Sequence, residues 1–76
     1  MSLSEEIRMM RQKSFLSQES FARELHVALS TVNRWEKGKA RPNLSAMKMI
    51  KEFCDLHEYP YNKIETEWLS YYEEVK

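Results

Sequence analysis

From Leu3 to Val75 the apolar residues recur at steps of three and four, without the strict alternation of a half-buried strand. Ser2-Leu3-Ser4-Glu5 has the form of a capping box, which predicts a first helix to about Lys13 with Leu3, Ile7 and Met10 inward. Ser17 can cap a second helix, with Glu19 in its dipole-favoured first turn and Phe21, Ala22 and Leu25 as its inner stripe. A third helix is expected from about Leu29 to Lys37, ending where Gly38 can take the left-handed conformation. Pro42 and the cap Asn43 open a fourth, to about Cys54, with Leu44, Met47, Ile50 and Phe53 inward at steps of three. A fifth, from about Asn62, carries Ile64, Trp68, Tyr71, Tyr72 and Val75. The expectation is an all-α chain, a compact bundle of five short helices.

Between the second and third helices stands His26-Val27-Ala28, with neither Gly nor Pro. Histidine is among the non-glycine residues more often found at positive φ, so His26 can end the second helix while Val27 plugs the core beyond it. The second helix then lies across the third. In the third, Val32 and Trp35 share an inner phase, whereas Leu29, Asn33 and Lys37 repeat on the opposite side, flanked by Ser30 and Arg34. Such a face can be read against the major groove: Asn pairs with adenine, Arg with guanine, and an apolar side chain meets a thymine methyl.

A chain of 76 residues supports one domain, burying only about 60% of its unfolded surface. The net charge is zero, which on its face argues against a polyanion. The distribution alters that picture. Through Cys54 there are ten cations against six acids, a surplus of four; from Asp55 onward two cations face six acids, a deficit of four. Six cations and one acid lie between Arg34 and Lys51, and a nearby polyanion senses that local field. The lone cysteine excludes an internal disulfide and fits a reducing, cytoplasmic setting. No apolar run reaches membrane-spanning length, and the start is too polar for a signal peptide.

Enzymatic and metal signatures fail on this sequence. One glycine cannot build a phosphate-cradling loop, and no Ser-His-Asp order has a strand-turn-helix context. Cys54 and His57 stand in C-x-x-H spacing, but zinc takes about four ligands and only His26 remains as another nitrogen donor. Cys54 is expected as a helix-end core residue, with no metal and no cofactor. Trp35 is expected in the core because of its inward phase.

From Leu16 to Pro42 the chain reads LSQESFARELHVALSTVNRWEKGKARP. This resembles the Cro/C1-type (Xre family) helix-turn-helix, whose usual pattern is LSQEELAxxLGVSxSTVxRWExGxxxP, and the likeness extends more loosely from Leu3 to Cys54. The resemblance implies a lambda-repressor-like fold in which the second and third helices form the helix-turn-helix. The DNA-binding domain is expected at residues 1–56; the chain after Asp55 lies outside the family pattern, and 57–76 is expected as an aromatic and acidic C-terminal helix packing on the domain or on a partner. The resemblance implies that Gln18 braces a DNA contact at the base edges, which Leu29, Ser30, Asn33 and Arg34 reach; Arg11, Ser17, Thr31, Lys37, Lys39 and Arg41 are expected at phosphates. It also implies a structural salt bridge between Arg11 and Glu36. Two positions depart from the pattern: His26 replaces the turn glycine, and Ala28 replaces the Ser or Thr that caps the recognition helix. The second departure removes a hydrogen bond worth about 1 kcal/mol.

The function implied is a sequence-specific, double-stranded-DNA-binding transcriptional regulator, a repressor acting as a homodimer. Tyr71, Tyr72 and Val75 would supply the dimer interface or a surface for another protein. Two other readings stay open: an antitoxin-like or accessory DNA-targeting module, and a protein-interaction module that kept the fold and lost DNA binding.

Overall fold

The computed structural model describes the backbone of residues 2–74 and the side chains of residues 2–70. It contains α1 (Leu3–Lys13), α2 (Gln18–Leu25), α3 (Leu29–Glu36), α4 (Leu44–His57) and α5 (Tyr61–Glu74), with no strand among the described residues. Three helix starts use side-chain caps. The Ser2 hydroxyl accepts from the Glu5 amide while the Glu5 carboxylate accepts from the Ser2 amide, which completes the capping box. Ser17 caps α2 and Asn43 caps α4, whereas Ala28, at the start of α3, offers no side-chain bond.

The helix ends share one device. After each of the first four helices a single residue turns left-handed: Phe15 (φ 59°), His26 (φ 58°), Gly38 (φ 73°) and Glu58 (φ 55°). The next amide then reaches back to a carbonyl in the last turn, as Leu16 does to Arg11 (3.3 Å), Val27 to Ala22 (3.0 Å), Lys39 to Arg34 (2.9 Å) and Tyr59 to Cys54 (2.9 Å). This is the Schellman closure. Three of the four following residues, Leu16, Val27 and Tyr59, are apolar and pack against the core, which draws the chain inward at each corner. Only one corner uses glycine, so the other three hold side chains in a conformation that costs roughly 1 kcal/mol or more.

One core runs through all five helices. Ile7 and Met10 of α1, Phe21 and Leu25 of α2, Val32 and Trp35 of α3, Ile50 and Phe53 of α4 and Ile64 of α5 are all buried in it. Phe21 and Phe53 meet edge to face with centroids 5.1 Å apart. Because Ile64 is fully buried and α5 packs on both α1 and α4, the C-terminal helix shares the core of the residues before it.

Two details of α4 differ from expectation. Leu44 is 69% exposed, and the buried stripe is Ala46, Met47, Ile50, Phe53 and Cys54. A strict step of three falls about 60° short of a full helical turn, so three such steps carry Leu44 to the side opposite Phe53. The helix also continues one turn past Cys54 to His57. There the imidazole stacks on Phe53, centroids 4.1 Å apart, and its Nε2 lies 3.0 Å from the Glu24 carboxylate, tying α4 to α2.

α5 is latched at Trp68. Its indole N–H donates to the Pro42 carbonyl at 2.6 Å, and the Arg41 guanidinium lies 4.2 Å from the ring centroid. The side chains of Tyr71 and Tyr72, and the whole of Val75, expected at a partner surface, fall outside what is described.

Candidate nucleic-acid interface

Helix α3 divides as its spacing predicts. Val32 and Trp35 are buried beneath, while Ser30, Arg34 and Lys37 are exposed above and Leu29 is 47% exposed beside them. Thr31 and Asn33 sit half-buried at the margins. The outward row therefore carries a hydroxyl and a guanidinium, with the Asn33 amide at its margin, on a helix whose inner face is fixed by the core.

Beneath that row lies a charged brace. Glu36 is 4% exposed, and its carboxylate accepts from Arg11 Nε at 2.7 Å and from Arg11 Nη2 at 2.9 Å. Arg11 Nη1 donates to the Leu16 carbonyl at 3.0 Å, at the corner leading into α2. Arg8 adds a bond to the Glu36 backbone carbonyl at 3.0 Å and approaches the carboxylate at 3.7 Å. Thus α1, the α1–α2 corner and the end of α3 are held at one point. Burial pushes the Glu36 carboxyl upward, but the bonds from Arg11 and Gln18 and the charges of Arg11 and Arg8 outweigh it, leaving the group below its ordinary value. The Arg11 guanidinium is raised in turn, first by its bond to Glu36. At neutral pH the carboxylate is therefore charged and faces a charged guanidinium.

From this brace a polar chain leads to the outer face. Gln18, the first residue of α2, donates through Nε2 to the Glu36 carboxylate at 3.0 Å. The Gln18 carbonyl oxygen in turn accepts from Asn33 Nδ2 at 3.4 Å. Gln18 and Asn33, assigned separately to base edges, thus form one unit. Arg8 was not singled out in the sequence; its position one turn before Arg11 on α1 was the available sign.

The expected phosphate residues separate into two sets. Ser17, Lys37 and Lys39 are exposed, around the start of α2 and the end of α3, with Thr31 half-buried. Arg11 faces Glu36, and Arg41 faces α5, where it also approaches the Trp68 carbonyl at 3.5 Å. Of the C-x-x-H pair, Cys54 is buried with its Sγ 3.5 Å from Met10 Sδ, and burial pushes its thiol up to about 11.

Residues 7–59, which include the brace, the crossing of α2 over α3 and the outer row, fit the family described as helix-turn-helix. The chain belongs to the Cro/C1-type helix-turn-helix family. This Cro/C1-type chain is also 34% identical over 53 residues to the HTH-type transcriptional activator BcrR of Enterococcus faecalis. The alignment covers 70% of the chain but 26% of that relative. No solved structure matches the chain.

Proposed function

We propose that this Cro/C1-type chain is a sequence-specific double-stranded-DNA-binding transcriptional regulator that lays α3 in the major groove. The observation that carries this reading is the exposed row of Ser30 and Arg34, with Asn33 at its margin, on a helix anchored by Val32 and Trp35. In this docking geometry the N-terminal part of the second motif helix meets base edges while the first crosses the backbone. Arg34, Asn33, Ser30 and Leu29 read bases, with Gln18 supporting them. Ser17, Thr31, Lys37 and Lys39 hold phosphates, and Arg11 and Arg41 keep the elements that carry them in place.

Repression follows most simply, since occupying an operator requires no further contact. Activation is the second reading, favoured by the name of the relative. In either case a homodimer would present two copies of α3 about 34 Å apart, to half-sites one helical turn apart. Tyr71, Tyr72 and Val75 remain the proposed interface.

The test is a gel shift with random duplex pools at low and high salt, followed by selection. A retained sequence motif and an affinity that falls steeply with salt support the reading. No shift at low salt contradicts it.

A further inference from the structure

A hollow of about 490 Å³ lies beside α3, between the turn after α2 and the loop that leads into α4. Leu25, Trp35 and Ala46 line it as buried residues, and Val27, Ala40 and Met49 as half-buried ones packed on the core. Its size falls among small-molecule sites, roughly 300–1,000 Å³, and like theirs its lining is mostly apolar with a few polar groups. Among the described residues no buried side-chain nitrogen or oxygen lacks a partner, and no cluster of His, Cys, Asp and Glu could hold a metal. The hollow therefore calls for neither a metal nor a polyhydroxylated ligand. What its half-buried walls leave in water is apolar surface, which an apolar molecule would cover.

Charge narrows the ligand further. Arg41 lines the hollow, with His26 and Thr31 as further polar groups, and among the described residues no carboxylate does. A cationic ligand would be repelled by Arg41 with no acid to offset it, whereas a carboxylate gains from the guanidinium. The Met49 thioether suits the edge of an aromatic ring. We propose that this hollow is an effector site for a small aromatic carboxylate, its ring against Val27 and Met49 and its acid toward Arg41. The lining includes Thr31 and also Ala40, the neighbour of Lys39, and both Thr31 and Lys39 are proposed above to hold phosphates. A bound carboxylate sets a negative charge where a phosphate must approach, so effector and DNA oppose each other's binding. That regulation rests on the DNA-binding reading above; the site itself does not.

The experiment uses the full chain and three probes of one shape: 1-naphthoate, neutral 1-naphthamide and cationic 1-naphthylmethylamine. Calorimetry should show one 1-naphthoate per chain with a Kd on the order of 100 µM, as suits about a dozen non-hydrogen atoms. The amine should bind at least about tenfold more weakly. Amide resonances of Val27, Ala40 and Met49 should shift with naphthoate. Arg41→Gln should bring naphthoate and naphthamide to within about twofold of each other, a loss of selectivity that mere destabilisation would not cause. Ala46→Leu fills the hollow and should abolish binding; Ala28→Leu, at its exposed edge, serves the same purpose if melting curves show Ala46→Leu unfolded. In low-salt gel shifts, naphthoate at about ten times its Kd should weaken wild-type DNA binding about tenfold, as direct competition gives, and leave folded Ala28→Leu unaffected. Equal affinity for the acid and the amine, shifts confined to other residues, or undiminished binding in a folded filled variant overturns the site. Naphthoate bound in the hollow with no effect on DNA overturns the regulation alone. A chain that binds no DNA even without naphthoate overturns the DNA-binding reading and the regulation, while calorimetry still decides the site.

Discussion

Arg11 and Glu36 meet through two parallel bonds, Nε to Oε2 at 2.7 Å and Nη2 to Oε1 at 2.9 Å, joining residues 25 apart in the chain. Removing Arg11 leaves a buried carboxylate with only the Gln18 amide and the more distant Arg8 to compensate it. Arg11→Met is therefore expected to destabilise the fold by about 3 kcal/mol, within the range for broken buried pairs. Urea unfolding measures this; a loss under about 1 kcal/mol would place the pair among weak surface contacts.

The same pair fixes a pH dependence. Glu36 is held below its ordinary value of 4.5, so its contribution is present above that value and is lost as pH falls through the lower, folded one. Glu36→Gln should abolish that part of the acid sensitivity while lowering stability at neutral pH. Parallel urea titrations between neutral pH and pH 3 read both effects; equal acid sensitivity in the two chains would exclude Glu36 as its source.

Phe15 adopts φ 59° while 96% exposed, so its ring contributes almost no burial to offset the backbone cost. Phe15→Gly relieves the left-handed strain, roughly 1–2 kcal/mol, against a larger unfolded-state entropy of roughly 0.4–1 kcal/mol. A net stabilisation of about 1 kcal/mol and a higher melting temperature are expected. A destabilised variant would mean that the ring packs on something in solution.

Lys39 and Arg41 lie two residues apart but face different surroundings. Lys39→Ala should weaken binding to all duplexes by a similar factor and make the log–log salt slope shallower by about 0.9, one phosphate. Arg41→Ala removes the stack on Trp68, expected to lower stability by about 1 kcal/mol, with a much smaller change in slope. Salt titrations and melting curves of the two variants separate these roles; equal slope changes would assign Arg41 to phosphate as well.

The helices and their inner faces were legible because each step of three and four reports a packed side. The His26 and Gly38 corners were legible too, one from tolerance of positive φ and one from glycine. Phe15 and Glu58 were not, because neither residue type favours that conformation; the trace they left is the apolar residue that follows each, Leu16 and Tyr59. Leu44 misled because a strict spacing of three drifts around a helix. In the interface, the outer row of α3 followed from its phase, and the Arg11–Glu36 pair from family resemblance. The link from Glu36 through Gln18 to Asn33 needed the crossing of α2 over α3, which no local pattern encodes. Arg41 read as one more cation in a basic run until its contact with Trp68, 27 residues on, placed it against α5.

The most direct measurement is binding selection on random duplexes with the intact chain and with Arg34→Ala. The account predicts a defined motif for the intact chain, with the variant losing preference at one base pair at a cost of about 1–3 kcal/mol. An Arg34→Ala chain that binds every duplex less well by one common factor would contradict it, reducing α3 from a reader of bases to a contact with phosphate.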